Sequence, residues 1–186
     1  MNELQAALAD TYGLGTTRNI LLATGSTPLL EGAVHAFCSA ERPLATVDPT
    51  YATSEGTARA LGYEIRSVPV DNGMAIELAG LAAAAKGAGL VHFCNPNIPT
   101  GTVHSATIVE GFVRQIMRES PDTRILIDDA YIAYAAPALM QTVLPLTAEF
   151  ANMFITRSFS TAHGLAGMRI GYAMGQEETL RRIERA

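Results

Sequence analysis

Lysine is nearly absent from this sequence. The single lysine, Lys86, lies in an alanine-rich stretch. We predict that it ends a helix and complements the helix dipole, rather than serving a chemical site. Basic runs are also absent, and the formal net charge is −5. Nucleic acids and anionic membranes recruit clustered positive charge, so this composition argues against either as the main partner.

Cysteine is scarce as well. Cys38 and Cys94 lie far apart in the chain, without the close spacing of a metal knuckle or a redox pair. Both are therefore predicted to be small buried hydrophobic residues. His35, His92 and His104 show no ligand spacing, and we predict no metal site.

Long hydrophobic runs are missing too. None approaches the roughly 20 residues that cross a bilayer. The first ten residues, MNELQAALAD, lack the basic start and apolar centre of a signal peptide. The sequence thus predicts no membrane partner and a cytoplasmic location. With 186 residues, of which 48% are hydrophobic and 17% charged, residues 1–186 are expected to form one domain with a substantial core.

Short apolar segments alternate with segments of helical period along the whole chain. Strands are predicted at 19–23, 44–47, 64–68, 90–94, 124–128, 152–156 and 168–173. Helices are predicted at 2–12, 29–40, 52–61, 76–86, 105–119 and from 176, with a less regular helical segment near 137–144. This alternation predicts an α/β fold, a three-layer α/β/α sandwich with a mostly parallel seven-stranded sheet. Ligand sites in such sheets lie beyond the carboxyl ends of the strands.

Two stretches are candidates for binding an anion. Residues 154–172, FITRSFSTAHGLAGMRIGY, place small hydroxyls, glycines and one arginine on an apolar segment. Ser158, Ser160 and Arg169 are predicted to be donors that converge on one anion. The second stretch, Gly25-Ser26-Thr27, follows a strand and begins a helix, where free N–H groups and the helix dipole attract anions. Taken alone, it could be merely a helix cap.

Residues 158–172, SFSTAHGLAGMRIGY, carry a family resemblance. They resemble the cofactor-lysine region of the fold-type I, pyridoxal-phosphate-dependent aminotransferases, above all the histidinol-phosphate aminotransferase branch. That pattern is S-F-S-K followed by G-L-A-G-x-R-x-G-Y. Where the family has the lysine that forms the Schiff base, this chain has Thr161, and a hydroxyl cannot form an imine with an aldehyde. The resemblance runs from about Ile20 to the end, and it implies that Gly25, Ser26 and Thr27 hold the cofactor phosphate.

The loops after two further strands extend the resemblance. Pro49-Thr50-Tyr51 could be a proline turn with a packed aromatic ring, but the resemblance makes Tyr51 the ring that stacks on the pyridine. Residues 94–101, CNPNIPTG, are similar to the family's N-P-x-N-P-T-G loop. Ile98 stands where the family has the asparagine that bonds the cofactor's phenolic oxygen. Asn97 is adjacent and is the candidate substitute, although moving one residue along a loop redirects the side chain.

Residues 125–131, ILIDDAY, resemble the family's D-E-A-Y after a buried strand. The resemblance implies that Asp128 pairs with the protonated pyridine nitrogen and that Tyr131 reaches the phenolic oxygen. The alternative is a helix-capping aspartate beside a core tyrosine. Thr161, at the position of the missing lysine, completes the expected catalytic set with Asp128 and Tyr131. His163 is predicted to be a loop residue packed near the turn.

The resemblance implies a large cofactor domain without the family's amino-terminal arm and small domain. Its parent reaction moves an amino group between an amino acid, with histidinol phosphate as one candidate, and a 2-oxo acid. Little or no turnover is expected, with pyridoxal 5'-phosphate (PLP) held noncovalently at best. A homodimer is expected, because family sites form between two subunits. Two alternatives stay open: a noncatalytic phosphate-binding, cofactor-binding or scaffold domain, and a PLP-dependent phosphothreonine decarboxylase.

Overall fold

A seven-stranded sheet runs through the centre of the protein in the computed structural model, which describes residues 2–136, 138 and 142–186. The strands are β1 Ile20–Ala23, β2 Leu44–Asp48, β3 Ile65–Pro69, β4 Leu90–Cys94, β5 Arg124–Asp128, β6 Met153–Ser158 and β7 Gly171–Gly175. Their order is β1-β7-β6-β5-β4-β2-β3. Only β7 runs against its neighbours, β1 and β6, and the remaining pairs are parallel. The predicted mostly parallel sheet is confirmed.

Helices cover both faces of this sheet. They are α1 Asn2–Thr11, α2 Thr27–Phe37, α3 Thr53–Ala60, α4 Leu78–Ala84, α5 Ala106–Glu119, α6 Leu146–Glu149 and α7 Glu177–Glu184. Apolar residues of α1, α4, α5 and α6 pack on one face, and those of α2, α3 and α7 pack on the other. The result is the predicted α/β/α sandwich. Within the described part of the chain, no helix has both the length and the apolar character that a membrane crossing demands.

The central strands are buried on both faces, which explains their continuous apolar runs. Successive side chains of a strand point to opposite faces. In β4, Val91 and Phe93 therefore pack with α4 and α5, whereas Leu90 packs with α2. Cys38 and Cys94 are both free and buried, as predicted.

The predicted strand at 168–173 begins later than expected. A short 3-10 turn, Ala166–Met168, occupies its start, and Arg169 adopts a left-handed conformation with φ of 52°. Such a residue ends a helical turn and cannot continue a pleated strand, so pairing with β6 starts at Gly171. The predicted helical segment near 137–144 cannot be assessed as a whole, because residues 137 and 139–141 lie outside the described residues.

Candidate functional site

A cavity of about 230 Å³ lies at the carboxyl ends of the parallel strands. Its lining residues are Ser26, Thr27, Tyr51, Ile98, Asp128, Ala130, Tyr131, Ser158, Ser160, Thr161 and Arg169. Every residue predicted for the site except Gly25 and Asn97 is therefore brought to one place. The sheet topology accounts for this, because the carboxyl ends of parallel strands meet at a single edge.

A larger groove runs along α7, with a volume of about 890 Å³. Its lining is dominated by surface charges, and two of them, Arg181 and Glu177, pair with each other. A wide groove lined by paired, hydrated charges offers a small ligand little desolvated contact. The smaller cavity at the sheet edge is therefore the better candidate site.

Arg169 lies at the end of the cavity where α2 begins. Its guanidinium donates to two main-chain carbonyls, that of Ala166 at 3.3 Å and that of Thr24 at 3.5 Å. In the parts of the chain that the structure describes, no carboxylate pairs with it. Beside it α2 begins, and the side chain of its N-cap residue, Ser26, makes no capping hydrogen bond. An uncompensated guanidinium beside a helix start is a favourable place for an anion.

Two glycines allow this end to assemble. Gly25 has φ of +90°, and a Cβ added there would lie 2.7 Å from Arg169 Nη2. At Gly171 a Cβ would lie 2.3 Å from the carbonyl carbon of Gly25. Both glycines are thus needed for the loop before α2, the guanidinium and β7 to approach one another. Gly25 does not line the cavity, and its contribution is to support Arg169.

The hydroxyls of this end follow β6. Ser158 Oγ accepts a hydrogen bond from the N–H of Ser160 at 3.0 Å, which fixes the turn after the strand. Thr161 follows directly, is exposed and lines the cavity. The chain therefore presents a hydroxyl at 161 and no amine. The single lysine, Lys86, precedes β4 at the opposite edge of the sheet, where it pairs with Glu119 at 3.7 Å.

Asp128 lies at the end of β5 and is only 2% exposed. Burial raises the pKa of its carboxyl group to about 7, against the opposing effect of two hydrogen bonds. These come from Thr156 Oγ1 and from the N–H of Ala130, both at 3.1 Å. No cation pairs with Asp128 among the described residues, so a bound ligand that brought a cation to the carboxylate would favour its charged form.

The neighbouring Asp129 has a different environment. Its carboxylate pairs with Arg157 at 3.0 Å and accepts a hydrogen bond from Thr142 at 3.2 Å. Burial raises the pKa of Asp129, and the charge of Arg157 opposes that rise. Of the two adjacent aspartates, one is thus used within the protein and the other, Asp128, faces the cavity.

The side chain of Asn97 is held inside its loop. It is 2% exposed and does not line the cavity. Its amide donates to the carbonyl of Pro49 and to Thr100 Oγ1, both at 3.0 Å, and its oxygen accepts from Thr50 at 2.8 Å. Ile98 presents an apolar side chain to the cavity instead. The structure thus directs the candidate substitute, Asn97, away from the other site residues.

Sequence reasoning missed Thr156, whose hydroxyl holds Asp128. The residue lies inside a buried strand, and its sequence context indicates only packing. The contact depends on the pairing of β5 with β6, which sets Thr156 beside Asp128. A polar residue in an otherwise apolar strand was the only available signal.

Comparison with known proteins agrees with this geometry. All of residues 1–186 match the sequence model of a family described as aminotransferase class I and II. The chain belongs to this family. Amino-group transfer is the parent reaction of these aminotransferases, and the predicted resemblance is confirmed.

Histidinol-phosphate aminotransferases are among the most similar relatives. That of Gluconacetobacter diazotrophicus is 33% identical over 182 residues, which are 98% of this chain and 48% of the relative. Histidinol-phosphate aminotransferase 2 of Nitrosospira multiformis is 36% identical over 95% of this chain and 44% of its own length. The crystal structure of the Sinorhizobium meliloti enzyme with pyridoxal-5'-phosphate has a TM-score of 0.90 and 29% identity, over 100% of this chain and 49% of that one. The chain spans about half the length of the curated relatives it matches.

The aminotransferase family is PLP-dependent, and the cavity fits part of that cofactor's requirements. Two serines suit a phosphate, as does an arginine that pairs with no carboxylate of the described residues. A buried carboxylate that pairs with no cation of those residues suits a protonated ring nitrogen. Thr161 and Ile98 do not fit, because neither an amine nor an amide donor faces the cavity at those positions. The residues present therefore fit noncovalent binding and do not fit covalent attachment.

Proposed function

We propose that this chain is the cofactor domain of an aminotransferase-family protein, and that it binds PLP without a covalent bond. The observation that carries the proposal is the composition of the cavity lining. It combines a set of anion donors with a buried carboxylate, yet presents Thr161 where the family has its lysine. Transfer of an amino group between an amino acid and a 2-oxo acid is accordingly expected to be very slow.

Ser158, Ser160 and Arg169 would hold the phosphate, together with the N–H groups at the start of α2. A hydrogen bond that involves a charged group contributes about 1.5 to 3 kcal/mol. Several such bonds on one phosphate are sufficient to retain the cofactor without covalent help. Tyr51, whose side chain is partly exposed on the cavity wall, would cover one face of the ring.

Asp128 would keep the ring nitrogen protonated. Burial raises the pKa of its carboxyl to about 7, so a cation beside the group would favour its charged form at neutral pH. When bound, PLP supplies an electron sink for carbanion chemistry, and a protonated ring nitrogen strengthens that sink. Thr156 and Ala130 orient the carboxylate through their hydrogen bonds. Tyr131, on the same cavity wall, offers a hydroxyl to the ring's phenolic oxygen.

The loss of the amine favours a noncatalytic role for the chain as it stands. Lysine amines carry the covalent step in these enzymes, and a threonine hydroxyl does not replace it. A cofactor-binding domain without turnover is therefore the second candidate. A decarboxylase that acts on phosphothreonine uses the same kinds of cofactor contacts, and product analysis separates it from a transaminase. We also propose a homodimer, as the family resemblance implies.

Equilibrium dialysis tests the proposal. PLP should bind the purified chain and leave it completely on extended dialysis. Borohydride treatment before dialysis should leave no stoichiometric adduct on the protein, because reduction fixes only a carbon–nitrogen double bond. Pyridoxal, which lacks the phosphate, should bind much more weakly. Failure of PLP to bind, or a stoichiometric reducible adduct on the unmodified chain, would contradict the proposal.

A further inference from the structure

Three side chains with metal-binding atoms meet beneath the cavity. His92 and Cys94 are two residues apart on β4 and so point to the same face of the sheet. Cys94 pairs in register with Asp128 of β5. One ligating atom from each of the three lies within 4.8 Å of the other two. All three are buried, with exposures of 0%, 0% and 2%.

Packing alone does not explain why a histidine occupies the buried position 92. Both of its ring nitrogens are buried, and neither has a hydrogen-bond partner among the described residues. A buried polar group without a partner destabilises a fold, and an apolar side chain would fill the same space without that penalty. Burial lowers the pKa of His92 to about 4, so the ring is neutral at physiological pH. Neutral imidazole is the form that coordinates metal ions.

Asp128 has a free oxygen on the cavity side of the cluster. Both of its hydrogen bonds end on Oδ1, which leaves Oδ2 without one among the described residues. Since Asp128 lines the cavity, an ion can reach the cluster from there. Burial also raises the pKa of the Cys94 thiol, and the charge of Asp128 raises it further. A cation beside the sulfur would oppose both effects.

We propose that His92, Cys94 and Asp128 bind one divalent cation of the zinc type, with a fourth coordination position open to the cavity. Nitrogen, sulfur and carboxylate oxygen are the ligands that zinc takes in proteins, and three protein ligands with one open position form a complete set. Tetrahedral bonds of the usual lengths separate the ligand atoms by roughly 3.3 to 3.8 Å. Since these atoms already lie within 4.8 Å of one another, no pair of them needs to approach by more than about 1.5 Å. Binding releases the Cys94 thiol proton to solvent, together with the Asp128 proton in those molecules whose carboxyl is protonated.

This site goes beyond the proposed cofactor function and shares only Asp128 with it. A cation on Asp128 would occupy the carboxylate that the ring nitrogen needs. Cation and cofactor should therefore compete, and each is tested in the absence of the other. Arg169→Ala should weaken PLP binding and leave cation binding unchanged, so the two proposals can fail independently.

Cobalt(II) is the probe, because its bonds to thiolate absorb in the near ultraviolet. The full chain is stripped with a chelator and titrated with Co²⁺ without PLP. A sulfur-to-cobalt charge-transfer band should saturate at one ion per chain and disappear when Zn²⁺ is added. Cys94→Ser should abolish the band. Cys38→Ser is the matched control, since Cys38 is the other free, buried cysteine, and that variant should keep the band.

His92→Phe provides the second arm, because phenylalanine preserves bulk and removes both nitrogens. Cation affinity should fall at least about 100-fold, since losing an outer-shell partner alone costs roughly 10- to 100-fold. Circular dichroism identifies folded variants. The absence of the band in the unmodified chain would overturn the proposal by itself, whatever the variants do. A band that survives in Cys94→Ser, or unchanged affinity in folded His92→Phe, would overturn it equally.

Discussion

The two ends of the cavity are built in different ways. At the end where we propose that the phosphate binds, Arg169, two serines and the start of α2 lie together, and two glycines let their backbones approach closely. At the end where we propose that the ring binds, single side chains would be decisive, and the chain has Ile98 and Thr161 where the family resemblance places an asparagine and a lysine. A site made from several donors and from backbone is weakened, but not abolished, by one substitution. A site that depends on one amine loses its chemistry with that amine.

Restoring the amine should produce the largest change. In Thr161→Lys, the new amine faces a cavity whose phosphate end is intact, so it should bond the cofactor's aldehyde carbon with loss of water. Borohydride reduction followed by peptide mass spectrometry should then find a stoichiometric adduct at position 161. The unmodified chain should show none there.

Two controls identify this reaction as specific. Ala162→Lys places an amine at the adjacent exposed position, and Lys86 is a native amine at the opposite edge of the sheet. Neither should carry more than a trace of adduct. If a lysine at position 161 carries no more adduct than these two controls, this position is not where the family's lysine would bind the cofactor. The contrast between the two ends of the cavity would then not hold.

Removing Arg169 should produce the next largest effect. In Arg169→Ala, the affinity for PLP should fall by roughly 10- to 150-fold, which corresponds to about 1.5 to 3 kcal/mol for a charge-assisted bond. The weak affinity for pyridoxal should not change, because that ligand has no phosphate. Calorimetry with both ligands measures the difference. Arg118→Ala, at an exposed arginine of α5, should bind PLP as tightly as the unmodified chain does. Equal losses of affinity in the two variants would show that Arg169 does not bind the phosphate.

Much of this site could be predicted from the sequence because the carboxyl ends of parallel strands lie at the same edge of the sheet. Short motifs after β1, β2, β4, β5 and β6 were therefore expected to converge, and the cavity contains nearly all of their predicted residues. The direction of Asn97 could not be predicted, since it depends on bonds to Pro49 and Thr50 in a distant loop. The bond from Thr156 to Asp128 likewise depends on the pairing of β5 with β6, which no local pattern encodes.

In the metal-free protein, lowering the pH should change the contributions of Asp128 and His92 to stability in opposite directions. The pKa of Asp128 is raised from 3.8 to about 7 in the folded protein, so its contribution to stability is full below pH 4 and is lost as pH rises through 7. The pKa of His92 is lowered from 6.5 to about 4, so its contribution is full above pH 6.5 and is lost as pH falls through 4. Between these limits the two effects oppose each other.

Single substitutions of Asp128 and His92 should each remove one of the two opposing changes of unfolding free energy with pH. Relative to the unmodified chain, Asp128→Asn should lose stability from pH 6.5 to 4.5, and His92→Phe should gain it. Each slope is at most about 1.4 kcal/mol per pH unit, the value for one proton. Urea unfolding at several pH values measures the difference, and it cancels the titration of groups that are distant from both residues. If the stability of both variants changed with pH in parallel with that of the unmodified chain, neither group would titrate as described.

The smallest effect should come from restoring the missing donor at the ring end. In Ile98→Asn, an amide would face the cavity and donate to the cofactor's phenolic oxygen, since Ile98 already lines the wall. One neutral hydrogen bond contributes about 1 kcal/mol, so PLP should bind about five times more tightly. Ile98→Leu keeps the wall apolar at the same volume and should leave the affinity unchanged. If both variants gain equally, the improvement comes from packing rather than from the amide. If only Ile98→Asn binds PLP more tightly, the new amide reaches the ring. The cavity wall at position 98 would then have kept its shape and lost only its hydrogen-bond donor, because an amide in a collapsed wall could not reach the ring.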